Sequence, residues 1–256
     1  TGSDTANSLS ALINSLQNTP GRLVQSAERA SFDAWIKYYR PDENSNNVAV
    51  SYYTKGALIA WLLDAKIRRA TDDKKSLDDL MRAAFARYSG EHGFTPEEFK
   101  ALAEEVAGVP LRAFFRETVE TPGELNYEDA LDWFGLRFRH AESSKKAWLG
   151  IETRTDNGRL LISRVPRGTP AYEAGLNVDD EILAIDDFRV RADQFPGRLE
   201  NYKPGDRVSI LVARRDKLMR LDLTFGEAPS TWQLELRPDA TGAQKHHLDR
   251  WLNAAR

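Results

Sequence analysis

The chain has 256 residues, no cysteine and a formal net charge of −3. Hydrophobic residues make up 41% and charged residues 29%, with 11 Phe, 8 Tyr and 6 Trp, which excludes a largely disordered chain. The slightly negative charge argues against nucleic-acid binding, and the lack of cysteine excludes disulfides and thiolate metal sites. The most apolar run, Ala57 to Leu63, is far shorter than the roughly 20 residues of a membrane-spanning helix.

The first half of the chain has the apolar spacing of helices. A first helix is predicted around Leu9 to Leu16, and a short helix is predicted to begin at Ser31. Asp42 to Asn47 is predicted to be a polar loop. The run from Tyr52 to Ile67 carries the most apolar residues and is predicted to be the central buried helix.

Further helices are predicted from their start signals. Ser76 and Thr95 are candidate N-caps, because Asp79 and Glu98 follow three residues later and can return hydrogen bonds to them. Another helix is predicted to begin at Val109-Pro110 and to run through Val119. These patterns predict an all-helical domain over residues 1–138.

After Asp132 the pattern changes to short β-branched runs separated by turn residues. This alternation, with two short helices inside it, predicts a β-barrel or sandwich over residues 147–227, followed by a strand and a terminal helix over 228–256 that pack back. The fold class is therefore predicted to be α+β with more than one domain. The predicted strands are Phe134–Phe138, Leu160–Val165, Glu181–Ile185, Arg207–Ala213 and Leu218–Phe225, and the predicted helices are Pro170–Ala174, Asp193–Asn201 and Thr241–Ala255.

Five motifs of this second region occur in the order and spacing of one family. Together they resemble a PDZ domain of the bacterial type, from Ala147 to about Gly226. The motifs are Trp148-Leu149-Gly150-Ile151, Val165-Pro166-Arg167-Gly168-Thr169-Pro170-Ala171, Ala174-Gly175-Leu176, the run from Asp179 to Asp186, and Lys203-Pro204-Gly205-Asp206.

The PDZ resemblance implies a site for the C-termini of peptides or proteins. The backbone N–H groups of Leu149, Gly150 and Ile151 would hold the terminal carboxylate while the peptide adds to an edge strand. The other wall of the groove would be the helix near Asp193 and Gly197. The alternative is a groove that is vestigial or filled by the chain itself. Pro196 is compatible with the groove helix only within its first turn.

Other motifs of the chain resemble the glycyl aminopeptidase family of zinc metallopeptidases, which follow the plan of aminopeptidase N and carry a C-terminal PDZ domain. The resemblance extends over nearly the whole sequence. Its motifs are Gly21-Arg22-Leu23-Val24-Gln25-Ser26, the run from Ser31 to Asn44, Ser51-Tyr52-Tyr53-Thr54-Lys55-Gly56-Ala57, the run from Leu125 to Leu131, and the run from Ala243 to Leu252.

This resemblance assigns a catalytic role to Tyr53. Its hydroxyl would donate a hydrogen bond to the oxyanion that develops opposite the zinc ion. A phenol suits this task because it is a neutral donor at pH 7 and is held on a rigid helix start. The alternative is that Tyr52 and Tyr53 are only aromatic packing residues. Lys55 and Gly56 are interpreted as helix-packing residues.

A zinc peptidase of this kind needs His-Glu-x-x-His on one helix and a further Glu ligand. The histidines of the chain are His92, His140, His246 and His247, and no two of them are four residues apart. Because the sequence begins Thr1-Gly2-Ser3 without Met, we expect it to be the C-terminal part of a longer protein. We therefore expect no metal site and no activity in this chain alone, with zinc held by an N-terminal catalytic half.

A different class of function is also compatible with the sequence. The chain could be a non-catalytic module in which a helical scaffold presents a PDZ domain to protein C-termini. A bacterial source is implied by the resemblance, and the sequence leaves cytoplasm and periplasm equally open.

Overall fold

The structure is a computed structural model that describes residues 2–91, 93–140 and 146–253. The N-terminal unit is helical, with a 3-10 turn at Pro20–Leu23 and a π-helical turn at Arg116–Glu120. Its helices are α1 (Gly2–Gln17), α2 (Ala27–Phe32), α3 (Ser45–Val48), α4 (Tyr52–Ala70), α5 (Leu77–Tyr88), α6 (Pro96–Ala107), α7 (Arg112–Phe115) and α8 (Glu128–Phe134).

The predicted central helix is confirmed as α4. Ser51 caps it, because its hydroxyl accepts a hydrogen bond from the Thr54 N–H at 3.2 Å. Leu58 and Ile67 on this helix are fully buried and pack into two apolar cores, one on each side. None of the helices within the described residues is long and apolar enough to cross a membrane.

The predicted caps of the next two helices are also confirmed. The Asp79 carboxylate accepts the Ser76 N–H at 2.8 Å, and the Glu98 carboxylate accepts the Thr95 N–H at 2.7 Å. These bonds satisfy N–H groups that the first turn of a helix leaves without partners. The helix predicted through Val119 is shorter, because α7 gives way to the π-helical turn.

Two predictions between Ser26 and Val50 are wrong. The short helix begins at Ala27 rather than Ser31, because the Ser26 hydroxyl accepts the Arg29 N–H at 3.1 Å and caps the helix earlier. The polar segment up to Asn47 is not wholly a loop, since α3 forms there. Asn47 is buried in α3, so its polarity reflects hydrogen bonding inside the protein rather than exposure.

The second unit is an antiparallel sheet domain. Its main sheet has the strand order β3-β4-β5-β7-β8, with β6 paired to β5, and β2 pairs with β9 in a separate ladder. The α+β fold class is confirmed, and the described strands form open sheets rather than a closed barrel. The elements are β2 (Ala147–Trp148), β3 (Glu152–Asp156), β4 (Arg159–Arg164), α9 (Pro170–Glu173), β5 (Glu181–Ile185), β6 (Phe188–Arg189), α10 (Phe195–Leu199), β7 (Arg207–Arg214), β8 (Lys217–Thr224) and β9 (Gly226–Glu227).

The C-terminal segment returns to the helical unit. Strand β10 (Trp232–Leu236) pairs antiparallel with β1 (Leu136–His140), and helix α11 (Gly242–Asn253) follows. The strand predicted from Phe134 is displaced, because Gly135 adopts φ +62° and ends α8 before the strand begins. On α11, the His247 ring stacks on Trp133 with centroids 3.7 Å apart.

The two units are joined by hydrogen bonds from α3. The Asn47 side chain donates from Nδ2 to the Val165 carbonyl at 3.1 Å and accepts at Oδ1 from the Arg167 N–H at 2.7 Å. Arg164 adds a bond to the Asn18 carbonyl at 2.9 Å. These bonds fix the loop after β4 of the sheet domain against the helical unit.

Replacing Asn47 with Ala removes three side-chain bonds, to Asn44, the Val165 carbonyl and the Arg167 N–H, and leaves the last two groups without them. We expect the free energy of unfolding to fall by about 1 to 3 kcal/mol, the cost of unsatisfied buried polar groups. Chemical denaturation measures this loss. Asn253→Ala is the control, because within the described parts of the chain the Asn253 side chain bonds only to Asp249 of α11. Equal losses in the two variants would contradict the role given to Asn47.

Candidate functional site

Three tyrosine hydroxyls meet at the start of α4. Tyr52 and Tyr53 lie in the first turn of this helix, and Tyr39 reaches them from the segment after α2. The Tyr39 hydroxyl oxygen is 3.1 Å from that of Tyr52 and 3.3 Å from that of Tyr53. The Ser51 cap fixes this first turn, so the two adjacent phenols are held on a rigid element.

The rings of this cluster pack on one another and leave Tyr53 accessible. Tyr52 and Tyr53 have ring centroids 4.3 Å apart, and the Tyr38 ring lies edge-on to Tyr52 at 5.4 Å. Even so, 59% of Tyr53 is exposed. A bound molecule can therefore reach the predicted catalytic hydroxyl without a change in the packing of the rings.

Hydrogen bonds within the cluster change the acidity of the phenols in opposite directions. The bond to Tyr39, followed by an interaction with Tyr52, lowers the pKa of Tyr53 below its ordinary value. Hydrogen bonds of Tyr52 with Tyr39 and Tyr53 raise the pKa of Tyr52, and the bond to Tyr39 is the largest cause. A hydroxyl group with a lowered pKa releases its proton toward an acceptor more readily, so Tyr53 is the better donor of the pair.

Lys55 has the position of a packing residue. It is fully buried, and its ammonium group donates to the Gly123 carbonyl at 3.3 Å. Burial lowers the pKa of Lys55, while the nearby Glu124 carboxylate acts in the opposite direction. The hydrogen bond of Lys55 therefore connects helix α4 to the segment after the π-helical turn.

The predicted peptide-terminus loop has unused donors. Among the described residues, the backbone N–H groups of Leu149, Gly150 and Ile151 donate no hydrogen bond. Leu149 is buried, and its carbonyl accepts the Ala171 N–H at 3.0 Å, which fixes the loop. Adjacent free N–H groups on a fixed loop are suited to a carboxylate.

Glycine is required at the centre of this loop. Gly150 has φ +75°, a region that other residues rarely adopt. A Cβ atom there would also collide with the Thr169 side chain. Glycine at position 150 therefore allows the loop to lie very close to Thr169. Thr169 follows the segment that is hydrogen-bonded to Asn47.

Strand β3 follows the loop directly and forms one edge of the described main sheet. Its residues Glu152 to Thr155 are exposed. An exposed edge strand that begins beside free N–H groups has the geometry for adding a peptide as a further strand.

The residues predicted for the opposite wall lie on helix α10 and just before it. Helix α10 begins at Phe195 with Pro196 in its first turn, as proline requires, and Asp193 precedes the helix. Gly197 lines a cavity of about 310 Å³ that also includes Gln194. Gly150 and Ile151 line a different cavity, so the structure does not bring Gly197 to the loop through a shared cavity.

A wall on the helical side of the loop was not predicted from the sequence. The cavity lined by Gly150 and Ile151 has a volume of about 880 Å³ and lies between the two units. Its helical side includes Leu23 and Val24, which belong to one of the family motifs. Two adjacent apolar residues in an otherwise polar turn were the one local signal of this wall.

The described residues do not fit a zinc site by themselves. Within the described parts of the chain, no three His, Cys, Asp or Glu side chains could together hold a metal ion. His92 lies outside the described residues.

Comparisons with known families match both parts of this architecture. Residues 1–59 match the M61 glycyl aminopeptidase family, and residues 147–225 match the PDZ domain family. Comparison with curated proteins gives no significant match.

Solved structures extend the similarity over the whole chain. A crystal structure of an aminopeptidase N family protein from Idiomarina loihiensis is 28% identical, with a TM-score of 0.84 over 96% of this chain. The match covers 43% of that protein, so the chain spans less than half of its length.

Two proteases share a smaller region. The HtrA-type protease AlgW with a decapeptide is 25% identical over 33% of this chain and 30% of that chain, with a TM-score of 0.31. A serine endoprotease from Yersinia pestis is 20% identical over 33% of this chain and 30% of that chain, with a TM-score of 0.30.

Replacing Tyr39 with Phe tests the origin of the Tyr53 acidity. The change keeps the ring and removes the shared hydroxyl, so the Tyr53 phenolate loses a hydrogen bond and the pKa of Tyr53 should rise. An NMR pH titration of isotope-labelled tyrosine measures this pKa. Tyr38→Phe is the control, because its ring belongs to the cluster but its hydroxyl has no hydrogen-bond partner among the described residues. An unchanged Tyr53 titration in Tyr39→Phe would refute the assignment.

Proposed function

We propose that the chain is the C-terminal part of a zinc-dependent aminopeptidase of the glycyl aminopeptidase type. The observation that carries this proposal is the similarity over 96% of the chain to an aminopeptidase N family protein, of which it spans 43%. The match of residues 1–59 to the M61 family supports it independently. The metal ligands would then lie in a part of the peptidase outside this sequence, and this chain alone would be inactive.

In this proposal Tyr53 is the catalytic residue that the chain contributes. Its exposed hydroxyl donates a hydrogen bond to the peptide carbonyl oxygen as that oxygen gains negative charge. The hydroxyl is already oriented by the first turn of α4 and by Tyr39, so little reorganisation accompanies the reaction. The lowered pKa of Tyr53 strengthens the bond at the moment when the charge develops.

The PDZ domain binds peptide C-termini in this proposal, and so guides or regulates access of peptides. The free N–H groups of Gly150 and Ile151 receive the carboxylate, and the exposed edge of β3 pairs with the residues before it. Asp193 and Gly197, the residues predicted for the groove helix, line no shared cavity with this loop and receive no role in the proposal.

A non-catalytic binding module is the second candidate. It is favoured by one observation, that residues 147–225 match the PDZ domain family. The two candidates predict different coding sequences upstream of this one. A peptidase requires an encoded His-Glu-x-x-His motif there, whereas a binding module does not.

Tyr53→Phe in the complete peptidase tests the catalytic role. Removal of the donor should lower kcat by about 100-fold while KM changes little, because the hydrogen bond forms mainly in the transition state. Steady-state kinetics with a glycyl peptide measures both constants. Tyr88→Phe is the control, since it removes a phenol hydroxyl that bonds to the Glu98 carbonyl away from the cluster. A kcat for Tyr53→Phe equal to that of the control would remove Tyr53 from the mechanism.

A further inference from the structure

We propose that the hydroxyl groups of Tyr52, Tyr39 and Tyr53 form a directed hydrogen-bond relay, in which Tyr52 donates to Tyr39, Tyr39 donates to Tyr53, and Tyr53 keeps its proton for a bound peptide. Tyr39 and Tyr52 are then positioning residues, because they act on the substrate only through Tyr53. The direction of the relay is a property of this chain. Its use in a reaction rests on the proposed catalytic role of Tyr53.

The number of protons in the cluster fixes the direction in which Tyr53 can serve as a donor to a ligand. A hydroxyl group has one proton to donate and two lone pairs that accept. The Tyr39 oxygen lies 3.1 Å from that of Tyr52 and 3.3 Å from that of Tyr53, so it can donate across one contact and must accept across the other. If Tyr53 were the residue that donates to Tyr39, its proton would point into the cluster. A free Tyr53 proton therefore requires that Tyr52 donates to Tyr39.

The surroundings of the two end tyrosines favour the same direction. Tyr52 is partly buried and packs against the apolar core on one side of α4. Among the described residues, its hydroxyl has no hydrogen-bond acceptor outside the cluster. Tyr53 is 59% exposed, so its proton can be donated to solvent or to a ligand. Donation from the more buried hydroxyl toward the more exposed one gives every proton of the cluster an acceptor.

The acidity of the two end tyrosines agrees with this direction. A hydrogen bond that a phenol donates stabilises its neutral form, whereas one that it accepts stabilises its ionised form. The bond to Tyr39 is the largest cause of both shifts, and it raises the pKa of Tyr52 and lowers the pKa of Tyr53. No Asp, Glu, Lys or Arg side chain of the described residues contributes to either shift. The difference in pKa between the neighbours therefore originates within the cluster.

Tyr39, the middle of the relay, is held in place by its own segment. Its backbone N–H donates to the Ala34 carbonyl at 3.0 Å, and its ring packs on that of Trp35 with centroids 5.3 Å apart. The buried Asp33 carboxylate pairs with the Lys37 ammonium group at 3.0 Å and fixes the same turn. The fold thus sets the position of the Tyr39 hydroxyl before any ligand binds.

The first test follows the ionisation of the tyrosines in the full chain by NMR, with a label on the ring carbon that bears the hydroxyl. In Tyr39→Phe we expect the pKa of Tyr53 to rise and the pKa of Tyr52 to fall, because each loses its bond to Tyr39. In Tyr52→Phe the pKa of Tyr53 should rise less, since Tyr53 keeps its bond to Tyr39. A change in packing alone would alter the exposure of both neighbours together and move both pKa values in the same direction.

Two results of this titration would overturn the relay. One is ionisation of Tyr52 at a lower pH than Tyr53 in the unaltered chain. The other is a pair of shifts with the same sign in Tyr39→Phe. Circular dichroism of each variant establishes that the loss of a single hydroxyl leaves the fold intact.

The second test measures kinetics in the complete peptidase with a glycyl peptide. Tyr39→Phe should lower kcat about tenfold, the loss expected for one hydrogen bond, while KM changes little. In a Tyr53→Phe background the same substitution should have no further effect, because Tyr39 acts through the Tyr53 hydroxyl. Tyr88→Phe is the control, since its hydroxyl bonds to the Glu98 carbonyl away from the cluster.

The kinetic outcomes separate the relay from the proposed function. An equal loss from Tyr39→Phe with and without the Tyr53 hydroxyl would overturn the relay and leave the catalytic role of Tyr53 intact. A kcat for Tyr53→Phe equal to that of the control would overturn the proposed catalytic role. The titration of the chain by itself would then still decide the direction of the relay.

Discussion

The bidentate hydrogen bonding of Asn47 to the loop after β4 is the interaction on which the arrangement of the molecule depends. One buried amide binds both the Val165 carbonyl and the Arg167 N–H across the boundary between the two units. Without it, the hydrogen bonds of Arg164 and the covalent chain would be the main connections between the PDZ domain and the helical unit. The cavity lined by Gly150 and Leu23 lies between the same two units.

In the proposed function, the residue that makes this contact lies close along the chain to the proposed catalytic residue, Tyr53. Asn47 lies in α3, and Ser51, which caps α4, is four residues further along the chain. The tyrosine cluster then occupies the first turn of α4. A peptide terminus at the PDZ loop and a scissile bond at Tyr53 would therefore be sensed by one continuous stretch of the helical unit, which is consistent with a regulatory role for the domain.

Local signals predicted much of the fold, since the caps at Ser76 and Thr95 depend on residues three positions apart. The start of α2 was missed because Ser26, rather than Ser31, supplies the cap. The cavity between the two units could not be predicted from local patterns, because the contact between these units joins residues 118 positions apart. The hydrogen bonding of Tyr53 also depends on a distant residue, Tyr39, whose turn conformation carries no clear periodicity.

Photo-crosslinking gives the most direct test of the proposed binding of peptide C-termini at the loop of Gly150. A peptide with a photoreactive last side chain and a free carboxylate is irradiated with the full chain, and the modified residues are identified by mass spectrometry. Crosslinks to residues that line the cavity of this loop are the predicted result, since the free N–H groups of Gly150 and Ile151 would hold the carboxylate there. Crosslinks confined to residues that do not line this cavity would contradict the proposal.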